Sequence, residues 1–369
     1  MTNRAEATID LDVIAENLRQ LHQPDVLTMA VVKADAYGHG ATPVARAARS
    51  AGAQWLGVAL PSEAIALREA GDTGAILAWL YAPGDDDLLE CVRRDVDLNV
   101  GAVWAAQEVA DVAHAAGRRA RVHLKVDTGL GRGGAPLHLF DELLDTVLER
   151  RSDLEIAGIW SHFASGEVPD AIETTEQLAM FDDALDRARR RGVEPPLRHI
   201  ANSGATLTRQ ESHYDLVRLG IAMYGLPPGP QVEMGSLRPA MTLRASLASV
   251  KRVSAGHGVS YGFTWRAPRD TTIALVPVGY ADGIPRTAKG AQIQLAGERV
   301  PVVGRIAMDQ FVVDVGDREV MPGDEVIVWG PGDVGEPTAQ EWAVWDDTIG
   351  YEIVTRLGVR VPRRFSGTV

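Results

Sequence analysis

The chain has 369 residues, 46% of them hydrophobic and 24% charged, an ordinary globular composition and more chain than one domain usually holds. A formal net charge of −13 argues against nucleic acid or an anionic membrane surface as a partner. A single cysteine, Cys91, excludes an intrachain disulfide; no apolar run reaches membrane-spanning length and the first residues lack a signal peptide's apolar core, so the expected location is cytoplasmic.

From the N-terminus, short apolar runs alternate with helical patterns. Strands are expected at 26–32, 55–58, 75–80, 96–100, 121–126, 154–160, 197–201 and 214–219. Helices are expected at 42–51, stopped by Gly52, at 62–70, opened by Ser62, and at 103–116, stopped by Gly117. Two more fall at 140–150 and 174–192, the second opened by the capping-box spacing of Thr174 and Gln177. Cys91 lies in a helical pattern and reads as core. Eight strands with helices between most of them predict an α/β fold, a parallel (β/α)8 barrel. Pro227-Pro228-Gly229-Pro230 continues neither helix nor strand and reads as a linker. Beyond it come β-rich runs at 243–253, 272–278, 293–295, 311–315 and 325–329, with one helical pattern at 339–348. The expected organisation is a barrel domain over 1–230 and a mostly-β domain over 231–369.

Only four lysines occur among 37 lysines and arginines, and Lys33 ends the first predicted strand. Lysine, unlike arginine, can lose its proton near neutral pH and attack an aldehyde. The alternative is a strand-end lysine reaching for solvent. Catalytic groups of a (β/α)8 barrel gather at the C-terminal ends of the strands. There this chain places Lys33, then Lys125 to Arg132, then Trp160-Ser161-His162, then His199 to Gly204, then Arg218. Several cations converging on one mouth demand an anion. The barrel's phosphate site follows strands seven and eight, where Asn202-Ser203-Gly204 and Gly220-Ile221 offer a hydroxyl and free backbone N–H groups. A phosphate, a reactive lysine and an arginine together fit pyridoxal 5'-phosphate.

Ordered motifs now carry a resemblance. They are Ala30-Val31-Val32-Lys33-Ala34-Asp35-Ala36-Tyr37-Gly38-His39-Gly40, Lys125-Val126-Asp127-Thr128-Gly129 and Val217-Arg218-Leu219-Gly220-Ile221-Ala222-Met223-Tyr224-Gly225. In the second half they are Val259-Ser260-Tyr261-Gly262, Val278-Gly279-Tyr280-Ala281-Asp282-Gly283 and Val303-Gly304-Arg305-Ile306-Ala307-Met308-Asp309-Gln310. The chain resembles the alanine racemase family over nearly its whole length. That resemblance implies a fold-type III pyridoxal-phosphate enzyme interconverting L- and D-alanine for peptidoglycan. It further implies a homodimer whose active sites are shared between chains, with no metal.

By the same resemblance, Lys33 binds the cofactor and is the base on one face. Tyr261, from the other subunit, is the acid/base on the opposite face. Arg218 faces the pyridine nitrogen and His162 supports Arg218. Tyr37, Asn202, Ser203, Gly220, Ile221 and Tyr351 match cofactor-binding positions. Arg132, Met308 and Asp309 match the substrate side. Tyr280, Asp282 and Arg286, with Tyr351, match the access path. Lys125 matches a lysine that the family carries as a carbamate; the alternative is a free amine bonded to Asp127 or solvent. Ala307 stands where many members have cysteine, which leaves serine open as a second substrate. A decarboxylase of the same two-domain class would place an acid opposite the pyridine nitrogen and a catalytic cysteine in the second domain. Non-catalytic carriers of the cofactor lack the β domain.

Overall fold

The computed structural model describes residues 4–367. Eight parallel strands form the barrel sheet: Leu27–Val31, Trp55–Val58, Ala75–Ala78, Asp97–Val100, Ala120–Asp127, Leu154–Trp160, Leu197–His199 and Leu216–Leu219; a ninth, Ala135–Pro136, pairs with Ala120–Asp127 alone. The last pairs with the first, Leu216 opposite Leu27. Asp215 N–H to Arg198 O (3.1 Å) and Arg218 N–H to Ala201 O (3.0 Å) join strands seven and eight, so the sheet closes on itself. All eight predicted strands are present. They read as near-continuous apolar runs because both faces are covered, one by helices and the other by the barrel interior.

Two expected caps are different in the structure. The helix Pro61–Glu69 starts on its proline, with Ser62 inside it. The Glu63 carboxylate closes its start, accepting from Ala59 N–H (2.9 Å) and Leu60 N–H (3.0 Å). The helix Ile172–Arg190 begins before Thr174, and Thr174 and Gln177 are buried rather than capping. Thr174 Oγ1 donates to Ser165 O (3.2 Å), and Gln177 Nε2 donates to Thr128 Oγ1 and His162 O (3.1 Å each). These side chains tie the helix to loops at the barrel mouth.

A nine-stranded sheet forms the second unit. Ala5–Asp10 lies inside it, antiparallel to Met241–Ser246 and parallel to Arg363–Ser366. A division at 230/231 assigns this strand to the barrel, whereas its hydrogen bonds are made in the second sheet. The expected run 243–253 is two strands, Met241–Ser246 and Ser249–Val253. Glu298–Val303 is an additional strand. The helical pattern at 339–348 becomes Ala339–Trp345, capped by Thr338 and Glu341, followed by a short helix Gly350–Thr355. That helix carries Tyr351 to the barrel mouth, with its ring 6.2 Å from the ring of Tyr37. Among the described residues, no helix is long and apolar enough to cross a membrane.

Gly225 leaves the barrel with φ +76°, and a Cβ there would lie 1.7 Å from the Arg238 carbonyl oxygen. The positive φ and the overlap are each costly. Gly225→Ala is predicted to lose at least about 2 kcal/mol of stability in urea unfolding. A variant within about 0.5 kcal/mol of wild type would contradict this packing.

Candidate active site

The strand Leu27–Val31 runs into Val32 and Lys33, and the chain then reverses through a left-handed turn. Ala34, Asp35, Ala36 and Tyr37 have φ of 52°, 52°, 53° and 54°. Left-handed turns cost L-residues roughly 1–2 kcal/mol each, so neighbours must hold this one. Glu63 accepts from Ala34 N–H (2.5 Å), and Asp35 accepts from Ala41 N–H (2.7 Å). The buried His39 ring donates from Nδ1 toward the carbonyls of Ala36 (3.1 Å) and Tyr37 (2.9 Å). Burial lowers the His39 pKa to about 4, so it holds the turn as a neutral donor. The turn brings Lys33 and Tyr37 to one cavity.

That cavity, about 760 Å³, opens at the C-terminal ends of the barrel strands. Lys33, Lys125, Arg132, His162 and Arg218 line it on the cationic side. Asn202, Ser203, Gly220, Ile221, Tyr37 and Tyr351 line the side after strands seven and eight. Burial lowers the Lys33 pKa, helped by Arg132 and opposed by Glu63. Burial, then Arg218 and Arg132, lower Lys125 to about 8. The Lys125 ammonium sits 4.5 Å from the centre of the Trp160 ring. Asp127 is engaged elsewhere, accepting from Gly129 N–H (3.0 Å) and Gly131 N–H (3.1 Å).

Arg218 is buried, which lowers its pKa to about 9 and leaves it protonated at neutral pH. Its Nη2 donates to Ser161 O (2.9 Å), Ile200 O (3.0 Å) and His162 Nδ1 (3.1 Å), and Nη1 to His199 Nδ1 (3.1 Å). Burial first, then Arg218, holds His162 well below the ordinary imidazole pKa. Among the described residues, none of these cations forms a salt bridge; Glu63 acts on Lys33 and Asp127 on Lys125 only at longer range. Ser203 Oγ accepts from Gly220 N–H (2.9 Å) and Ala222 N–H (3.4 Å). A Cβ at residue 220 would lie 2.5 Å from Tyr37 Oη, so only glycine fits beneath that phenol. Asn202 Oδ1 accepts from Ala205 N–H (3.0 Å) and caps the helix Ser203–Thr208. Unpaired cations, a desolvated amine and a cluster of hydroxyl and N–H donors fit a phosphorylated aldehyde.

The remaining wall was not foreseen. Trp79, Tyr81 and Asn99 end strands three and four. Trp160 Nε1 donates to Asn99 Oδ1 (3.0 Å), and Asn99 Nδ2 to Trp79 O (3.2 Å). Extending the strand-end survey to every strand, apolar ends included, would have found them.

Six expected residues lie away from the cavity of this chain: Tyr261, Tyr280, Asp282, Arg286, Met308 and Asp309. Tyr261 is 69% exposed and Met308 52% exposed on the second domain. Tyr280 and Arg286 are also exposed, and Asp309 pairs with Arg360 at 2.7 Å. Asp282, expected on the access path, is instead fully buried. It accepts from Gly279 N–H (2.9 Å) and pairs with Arg4 and with Arg360 (3.2 Å), so its charge is spent on internal bracing.

A lysine at the end of the first barrel strand, backed by a separate mostly-β domain, is the arrangement that the sequence resemblance implied for a fold-type III pyridoxal-phosphate enzyme. Comparison with known proteins narrows the class. Residues 9–228 match the alanine racemase N-terminal domain and 240–365 its C-terminal domain, and the chain belongs to that family. It is 50% identical to alanine racemase of Thermobifida fusca over 374 residues, covering 100% of both chains. The crystal structure of alanine racemase from D-cycloserine-producing Streptomyces lavendulae superposes with a TM-score of 0.97 at 50% identity, covering 100% of this chain and 98% of that one. Bacillus anthracis alanine racemase with bound L-Ala-P superposes with a TM-score of 0.92 at 35% identity, covering 100% of this chain and 96% of that one.

The Lys125 environment gives a pH signature. Its amine has a pKa of about 8 folded against 10.5 for an ordinary lysine. Between these values the unfolded chain binds the extra proton, so stability rises with pH through that window. In carbon-dioxide-free buffer, wild type is predicted to gain stability relative to Lys125→Met from about pH 8 to about pH 10.5. A flat difference across that window would contradict the assignment.

Proposed function

We propose that this chain is a pyridoxal-phosphate-dependent racemase that interconverts L- and D-alanine and supplies D-alanine for peptidoglycan. The carrying observation is Arg218, a buried guanidinium held by imidazoles and carbonyls, where a decarboxylase of this class has an acid. The family match over both domains supports the substrate. Pyridoxal phosphate, when bound, supplies an aldehyde for amines and a conjugated ring that draws electrons from the substrate Cα.

The chain's own residues supply the rest. Tyr37, Asn202, Ser203, Gly220, Ile221 and Tyr351 would hold the phosphate. Lys33, its charged form disfavoured by burial, moves a proton at one face of Cα. Racemisation needs a second base on the other face. We infer that Tyr261 of a second copy provides it, because Tyr261 is exposed and distant from its own cavity. The same reading gives a homodimer in which Met308, Asp309, Tyr280 and Arg286 reach the neighbouring site. Arg132 and the Met308 N–H then hold the substrate carboxylate. Arg218 cannot hand its proton to the ring nitrogen, which limits electron withdrawal and disfavours side reactions. Lys125, with a pKa of about 8, has a neutral fraction near pH 7 to which carbon dioxide adds, releasing a proton and leaving a carbamate. That carbamate provides the negative charge Arg132 otherwise lacks. The location is cytoplasmic.

Cofactor-loaded protein is predicted to bring either enantiomer of alanine to an equimolar mixture, with serine slower. Borohydride followed by peptide mapping should leave the pyridoxyl group on Lys33. No interconversion, or a label on Lys125, Lys251 or Lys289, overturns the reading.

The two bases predict asymmetric losses. Tyr261→Phe should slow exchange of the Cα proton from L-alanine by about 10²–10⁴-fold. Exchange from D-alanine should suffer far less, and Lys33 substitution should show the converse. Equal loss of Cα deuterium from both enantiomers in Tyr261→Phe would remove Tyr261 from this role.

A further inference from the structure

A polar line runs down the barrel interior from Arg218. His199, His123 and Asp97 are 0%, 0% and 2% exposed. Arg218 Nη1 lies 3.1 Å from His199 Nδ1, His199 Nε2 lies 2.9 Å from His123 Nδ1, and His123 Nε2 lies 3.1 Å from Asp97 Oδ2. Asp97 Oδ1 accepts from Arg121 Nε at 3.0 Å. Arg121 is 42% exposed at the far end of the barrel, where it also pairs with Glu155 at 3.1 Å. The line therefore joins the cavity to the opposite surface.

Donor and acceptor chemistry fixes every proton in it. A guanidinium only donates, so His199 Nδ1 must accept and its proton sits on Nε2. That N–H donates to His123 Nδ1, which places the His123 proton on Nε2. His123 Nε2–H then donates to Asp97, whose two oxygens both accept. Three bonds run in one direction from Arg218 to Asp97, and Arg121 donates to the same carboxylate from the other side; bonds aligned in one direction strengthen one another. Trp160 stacks on His199 (5.5 Å, 10° between planes) and Trp55 meets His123 edge-on at 5.2 Å, so neither ring is free to turn. Burial first, then Arg218, keeps His199 well below the ordinary imidazole pKa, consistent with a neutral ring.

We propose that Asp97 is a positioning residue for racemisation: through His123 and His199 it fixes the Arg218 guanidinium and supplies its negative charge from a distance. A carboxylate touching Arg218 would neutralise it and compete with the cofactor ring. Two intervening imidazoles orient the guanidinium while leaving its charge directed at the cavity. This rests on Arg218 facing the cofactor ring.

Nitrogen NMR of the imidazoles in wild-type holoenzyme at neutral pH tests the relay without a variant. The expected result is both His123 and His199 neutral with protons on Nε2. A cationic His199, or one protonated on Nδ1, overturns the proposal. These signals do not depend on turnover, so they separate this proposal from the racemase reading. Asp97→Asn keeps the shape and removes the charge. It should lower kcat by about tenfold or more with KM for alanine changed less than about twofold. In an Arg218→Lys background the same substitution should have little further effect, because its route is already cut. Independent multiplication of the two losses, or an Asp97→Asn protein that loses stability with kcat intact, overturns the positioning role.

Discussion

Positive charge gathered without a carboxylate is the constraint on which the barrel mouth depends. Lys33, Lys125, Arg132 and Arg218 face one cavity, and the nearby acids are occupied with backbone N–H groups. Such an arrangement is expensive for a protein alone, because buried cations without partners lose hydration and gain little back. The cost is offset once an anionic cofactor and a carboxylate substrate enter. Burial first, and the neighbouring guanidinium groups after it, disfavour the charged form of both lysines. Clustered charge thus favours an anionic ligand, while burial favours the neutral amines beside it.

Geometry adds a second condition. The left-handed turn Ala34–Tyr37 reverses the chain within four residues, so Lys33 and the phenol above Gly220 share one wall. It is held by Glu63 from the helix Pro61–Glu69 and by His39 just after the turn. The second domain reinforces this mouth. Arg363 Nε donates to Gly38 O at 2.9 Å, and Tyr351 packs its ring against Tyr37. The strand Ala5–Asp10 sits between strands from residues 241–246 and 363–366, so this segment is anchored in the second sheet before the barrel starts.

The barrel was legible because its strands are buried on both faces and read as unbroken apolar runs. Strand-end lysines, histidines and arginines were legible because the fold dictates where chemistry gathers. What escaped depends on partners far away in sequence. Ala5–Asp10 has its neighbours more than two hundred residues on, and nothing local marks it as a strand of the second sheet. Thr174 and Gln177 have capping spacing, yet tertiary partners at Ser165, Thr128 and His162 claim their side chains. Asp282 looks like a surface acid until Arg4 and Arg360 are seen around it. His123 and Asp97 were invisible as a pair, because their link through the barrel core follows only from strand register. The role of Tyr261 came through family resemblance, and no spacing within the chain points to it.

The proposed reading puts one base in the cavity and the other on the exposed face of the second domain, and therefore requires a site assembled from two chains. Mixing Lys33→Ala and Tyr261→Phe proteins, each expected to racemise alanine far more slowly alone, tests this most directly. Reassociated hybrids should recover alanine racemisation, because one site of each hybrid then combines an intact Lys33 with an intact Tyr261. Hybrids shown to have formed yet wholly inactive would contradict the account and place both bases within a single chain.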